Sequence, residues 1–162
     1  MKNVLILYFF LLMISCGKDD DSSGNNTTNG VSYISMKING VAWRGETNFV
    51  SGIFQNNFSA QATFKIDGKS QIASFGFENT NLNNVNILDE NSSGVFLFLD
   101  NVNTKSWGFG SGSSGSGQFK ITKTKTAQAI TQVSATFSGS TKDIDGKTIT
   151  VTDGVIFNAL TN

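Results

Sequence analysis

The chain has 162 residues, balances 12 Lys+Arg against 12 Asp+Glu, and contains one cysteine, no histidine and no proline. Without histidine there is no imidazole acid–base catalysis and no histidine metal site. A single cysteine excludes an intramolecular disulfide and a thiolate metal cluster, and a neutral chain offers no basic surface for nucleic acid.

In chain order, Lys2 precedes an unbroken apolar run over residues 4–14 (VLILYFFLLMI), and Met13-Ile14-Ser15-Cys16 puts a small residue just before the cysteine. A basic start, a short apolar stretch and a small-residue cleavage site are the grammar of a secretory signal peptide. The run is too short to span a bilayer, which takes about 20 apolar residues. Residues 1–15 are therefore expected to be a lipoprotein signal peptide, with Cys16 the lipidated residue of the mature chain. Its removal takes Lys2 with it and leaves one more acidic than basic side chain. Residues 16–30 (CGKDDDSSGNNTTNG) hold no apolar side chain after the cysteine. They cannot bury enough surface to offset ordering entropy, so they are expected to form a flexible tether with a reach of about 20 Å.

From residue 31 to 162 the apolar pattern has period 2, the signature of half-buried strands. Asn39-Gly40 is expected to join strands over 31–38 and 41–44. Phe58, Ala60, Ala62, Phe64 and Ile66 alternate with polar residues, and Asp67-Gly68 leads into Ala73, Phe75 and Phe77 on a common face. Two-residue Asn-Gly and Asp-Gly links are strong hairpin signals, because both positions must tolerate positive φ. Residues 82–90 break the alternation and read as a loop, an irregular edge strand or one helical turn. Residues 95–99 (VFLFL) are apolar on both faces, as in a central or doubly covered strand. Residues 108–117 (GFGSGSSGSG) read as a flexible hairpin loop, lacking the Gly-Lys-Ser/Thr ending of a phosphate loop. Lys120, Lys123 and Lys125 suit an exposed edge strand, where lysine discourages edge-to-edge pairing. Asp145-Gly146 is expected to join 133–141 to 148–152, and Asp153-Gly154 to turn into a last strand over 155–160. The expected fold is all-β: an antiparallel β-sandwich or β-barrel of about 8–10 short strands, its core supplied by phenylalanine.

Three segments together resemble the small uncharacterised outer-membrane lipoproteins of the Bacteroidota, of flavobacterial type. Cys16-Gly17-Lys18-Asp19-Asp20-Asp21 is similar to their surface-export signal. Met36-Lys37-Ile38-Asn39-Gly40-Val41-Ala42-Trp43 is similar to their "x-x-N-G-x-x-W" opening. Residues 134–139 (SATFSG) and 145–157 (DGKTITVTDGVIF) resemble their closing "G-T-F" strand, hairpin and "I-T-N-G-x-F" strand. Ala135 stands where that pattern has glycine, and Asp153 where it has asparagine. The resemblance implies a single β domain, a lipid anchor in the outer membrane and display to the cell exterior; it carries no activity.

Few residues point to chemistry. Asp143-Ile144-Asp145-Gly146 opens like a calcium loop, but Lys147 follows and no glutamate comes later, so a hairpin turn is expected. Asp89, Glu90 and Asp100 are the only plausible carboxylates for glycoside hydrolysis, and strand-end solvation explains them as well. Trp43 and Trp107 are the candidate ligand-binding residues, since flat amphipathic rings anchor interfaces and stack on apolar faces. Trp43 suits the core, and Trp107, beside the glycine-rich segment, an exposed position. The expectation is a monomeric, non-catalytic protein without cofactor or metal, held to the membrane by lipid at Cys16 and binding no nucleic acid. The alternative is a cell-surface module binding a glycan or a small apolar ligand, with Trp107 as its anchor.

Overall fold

Alternating ring and polar side chains give strands, and strands with one apolar face must cover it. The computed structural model describes residues 31–46, 51–54, 57–78, 80–127 and 130–159. The leader 1–15, the tether 16–30 and Cys16 lie outside the described residues. The strands are β1 (Tyr33–Ile38), β2 (Val41–Glu46), β3 (Ser51–Phe54), β4 (Asn57–Ile66), β5 (Lys69–Phe77) and β6 (Val85–Leu88). They continue with β7 (Gly94–Asp100), β8 (Lys105–Gly110), β9 (Ser116–Ala127), β10 (Ile130–Lys142) and β11 (Thr148–Phe157). All pair antiparallel in one sheet, in the order β6-β9-β10-β11-β1-β2-β4-β5-β7-β8. The short β3 lies off this path and pairs with both β10 and β4, closing a hydrogen-bonded circuit through β11, β1 and β2.

The sheet is thus a nearly closed barrel, all-β as expected. Curling brings β4, β5 and β7 over β9 and β10. Phe75 on β5 meets Phe137 on β10 edge-on at 4.7 Å, and Phe58 on β4 stacks on Phe119 of β9 at 5.0 Å. Phe96 on β7 lies 4.6 Å from Phe75 and 4.8 Å from Phe109 of β8. Five of these rings, Phe58, Phe75, Phe96, Phe109 and Phe119, are essentially without solvent contact. Each contributes about 1.5–3 kcal/mol by burial, with a further 0.5–1.5 kcal/mol per well-placed aromatic pair.

Both short hairpins form as the residues predict. Asn39 and Gly40 have φ of 50° and 83°, Asp67 and Gly68 of 49° and 75°. Asp145-Gly146 also lies between the paired β10 and β11, but in a longer loop. There the N–H of Gly146 donates to the Asp143 carbonyl and the N–H of Lys147 to the Asp143 carboxylate. Residues 82–90 contain β6, an edge strand paired to β9. VFLFL, expected to be central or doubly covered, is neither: β7 pairs with β5 and β8 but stands second from one end of the order, and Leu97 and Leu99 on its outer side are 39 % exposed.

Two expectations need correction. Asp153-Gly154 is not a turn: β11 runs through it to Phe157, and the register slips on both flanking ladders. It is a β-bulge, with Asp153 at φ 52°. Asp-Gly signals positive φ, which a bulge uses as readily as a turn. A Cβ on Gly154 would come within 2.4 Å of the Phe137 carbonyl oxygen, so the close approach of two strands demands glycine. Nor are residues 108–117 a flexible loop. Gly108, Phe109 and Gly110 end β8, Ser116 and Gly117 begin β9, and the N–H of Gly110 donates to the Gly115 carbonyl across a tight link. The glycines clear room for a ring: a Cβ on Gly117 would sit 2.4 Å from Phe109, and one on Gly139 of β10 2.7 Å from it.

Gly139→Ala is therefore expected to destabilise the domain by about 1–3 kcal/mol through overpacking, read from chemical denaturation. Adding Phe109→Leu to that variant should cost less than the sum of the two single changes, since the shorter side chain vacates the contested space. Full additivity would show that the two positions do not contend.

Candidate functional site

The two tryptophans, 64 residues apart in sequence, are brought to either side of one phenylalanine. Trp43 lies on the inner face of β2, Phe98 on that of β7 and Trp107 on that of β8. Trp43 meets Phe98 edge-on at 5.3 Å, and Trp107 stacks on Phe98 at 4.9 Å. Trp43 is 8 % exposed and belongs to the core, as expected. Trp107 is half-buried, packed on the core rather than standing free.

Polar groups tie this aromatic row down. The indole Nε1–H of Trp43 donates to Oε1 of Gln71 at 2.9 Å. Gln71 also hydrogen-bonds Asp100, its cross-strand partner on β7. Asp100 accepts from the backbone N–H of Val102 and of Asn103, each at 3.1 Å, and from Nδ2 of Asn103 at 2.8 Å. This carboxylate therefore caps the β7–β8 link, whose last residue, Thr104, has φ 55°. A β-branched residue is rarely held there, and the capping bonds stabilise the turn that demands it. Partial burial disfavours the charge on Asp100. The bonds from Asn103, Gln71 and Val102 outweigh that and hold its carboxyl below the usual carboxylate range.

These bonds fix the position of each group. Asp100 is saturated by donors, and the indole N–H of Trp43 is already used. Gln71 was not singled out by sequence, although a signal existed: it shares the inner parity of Ala73, Phe75 and Phe77, so it is a polar group on an apolar face.

The other candidates separate. Asp89 and Glu90 lie in the link before β7, and Asp100 at its far end, so the strand holds them roughly 20 Å apart. Glycosidase carboxyl pairs stand about 5–9.5 Å apart. Asp143 accepts from the N–H of Asp145 at 3.1 Å and of Lys147 at 2.8 Å, a turn cap in place of a cation site. Among the described residues no group of three or more acidic, histidine or cysteine side chains is placed to hold a metal ion. Lys120, Lys123 and Lys125 are exposed on β9, the last two beyond the stretch that β6 pairs, where edge protection is their evident role. Cys16 lies outside the described residues.

Comparison with protein-family models, curated proteins and solved structures finds no match to this chain.

Replacing Gln71 by leucine leaves the Trp43 indole without its acceptor and Asp100 without one donor, and should cost about 1–3 kcal/mol in denaturant unfolding. The Asp100 carboxyl, lowered in the folded state, contributes stability at neutral pH. That contribution is lost as pH falls below the unfolded carboxylate value of about 3.9. Asp100→Asn should thus be less stable than the parent at pH 7 and lose less stability on acidification. An unchanged acid profile would show that the capping bonds do not favour the charged form.

Proposed function

We propose that this chain is a non-catalytic, lipid-anchored lipoprotein of the cell envelope, held to the outer membrane through Cys16 and facing the cell exterior. One observation carries the reading: the basic, apolar and small-residue succession of residues 2–15 ends on the sole cysteine of the chain. A diacylated or triacylated cysteine meets the requirement of two or more chains for stable anchoring. The acidic segment behind Cys16 then acts as a leash. The resemblance to Bacteroidota surface lipoproteins belongs to the same proposal. Of the residues behind it, Asn39-Gly40 form a hairpin turn and Trp43 packs in the core, which are roles in folding.

The domain's side chains support a role without catalysis. Its best-positioned carboxylate, Asp100, is engaged in a turn cap, and its aromatic residues fill the interior. A second reading, a surface module that binds a glycan or a small apolar ligand, is favoured by Trp107. This ring is half-buried and held against Phe98, a rigid amphipathic edge at the surface. The glycan form has the better support, because ring centroids 4.6–5.0 Å apart leave no room for an apolar guest among the central phenylalanines.

Cys16→Ala is expected to move the protein from the membrane pellet to the soluble fraction, and the parent to incorporate labelled palmitate while the variant does not. A variant that still pellets overturns the anchor. Protease treatment of intact cells should remove the parent's β domain; full protection would place it on the periplasmic leaflet.

A further inference from the structure

The side of the sheet turned away from the core is not uniform. Where β10 faces outward it presents Thr136, Ser138 and Ser140, and the neighbouring β11 presents Thr150 and Thr152. Two depressions adjoin on this face, of about 520 and 500 Å³, and share Gln118 and Ser138. Both are shallow and open, so a ligand lying there would be contacted from one side only. Together they make a trough along β10. The hydroxyl row runs along its middle, flanked in the same sheet by β9 and the short edge strand β6 on one side and by β11 on the other.

We propose that this trough binds a neutral, extended polysaccharide. The inference rests on the second reading above, that the domain binds a ligand, and moves the site from Trp107 to the opposite side of the sheet. Three observations carry it. The floor and flanking side chains Thr136, Ser138, Ser140 and Gln118 make no hydrogen bond among the described residues. Each hydroxyl both donates and accepts, as sugar hydroxyls do. The floor from Thr136 to Ser140 is roughly 13 Å long, room for a short run of sugar rings. The lip is apolar: Val85 and Ile87 on β6 are 44 % and 51 % exposed and suit the C–H faces of a pyranose. Lastly, the bulge at Asp153-Gly154 forms part of the β11 flank, where it bends the strand and sets Asp153 at the rim. Lys37 Nζ pins that carboxylate at 2.8 Å.

Charge and pairing choose between ligands. Among the described residues Lys120 and Asp153, of opposite sign, line the trough; Lys37 at the rim is paired with Asp153 and Arg44 beyond the end with Glu46, which leaves one lysine's charge, too little to select a polyanion. A peptide adding as a strand needs a free backbone edge. On the floor, β10 is already paired with β9 on one side and β11 on the other. Beyond Val155 the same face carries Phe157 stacked on Tyr33 at 5.1 Å, with the Arg44 guanidinium 3.9 Å over the Tyr33 ring, an aromatic ledge at the trough's end.

The test is native affinity electrophoresis of the full chain in gels cast with xyloglucan, galactomannan, laminarin or soluble starch, with an extended Ser/Thr-rich peptide as competitor. At least one polysaccharide should retard the protein and the peptide should not relieve it. Ser138→Trp, which fills the floor, should weaken binding at least tenfold. So should Ser138→Ala with Gln118→Ala, which removes hydrogen-bonding groups without adding volume. Ile144→Ala, at a fully exposed position outside the trough, should leave binding unchanged. Retardation lost in Trp107→Ala but kept in both trough variants overturns the trough and leaves the binding-module reading standing. Relief by the peptide makes the ligand a protein segment and overturns the proposal. No retardation by any of the four polysaccharides overturns both.

Discussion

Everything in this domain depends on one contact: the inner face of β5 and β7 pressing its rings onto the inner face of β9 and β10. Phe75, Phe96 and Phe137 meet there with centroids 4.6–5.7 Å apart. A single sheet can bury its own apolar face only by curling, and these rings set how far it curls. With one cysteine and so no internal disulfide, aromatic burial is the main stabilising term of the described domain.

Rings this large need space, and glycine supplies it. Gly117 and Gly139 lie where a side chain would strike Phe109, and Gly154 where one would strike Phe137. Composition rich in glycine therefore reflects close packing here, at least as much as turns. The same demand explains the bulge in β11, which lets the strand pass Phe137 and go on pairing with β1 in a shifted register.

How much of this was legible in the sequence varies by element. Alternation from Phe58 to Phe77 specified two strands, their inner face and the Asp67-Gly68 turn, because period 2 and positive φ are local properties. The bulge at Asp153-Gly154 was not legible as such, since the dipeptide reports a dihedral preference and not whether the chain reverses. Residues 108–117 misled for a related reason. A glycine that admits a ring from a distant strand is identical, in sequence, to one that admits flexibility. Trp43 was read correctly as core, while its tie to Gln71 and Asp100 depends on pairing between β5 and β7 that no local pattern encodes. Thr136, Ser138 and Ser140 alternate with Ala135, Phe137 and Gly139, but that β6 and the bent β11 flank them follows only from long-range pairing.

An interior closed by its own rings leaves function to the surface and to the anchor. The claim beneath all of this is that the curled sheet has one core and opens as one unit. Native-state hydrogen exchange tests it most directly, by comparing amides of β5, β7 and β10. The amides of Phe75, Phe96 and Phe137 should exchange only through global unfolding, with a common opening free energy equal to that from denaturant. Separate opening of β5 and β7, at a free energy well below that of β10, would contradict a single core.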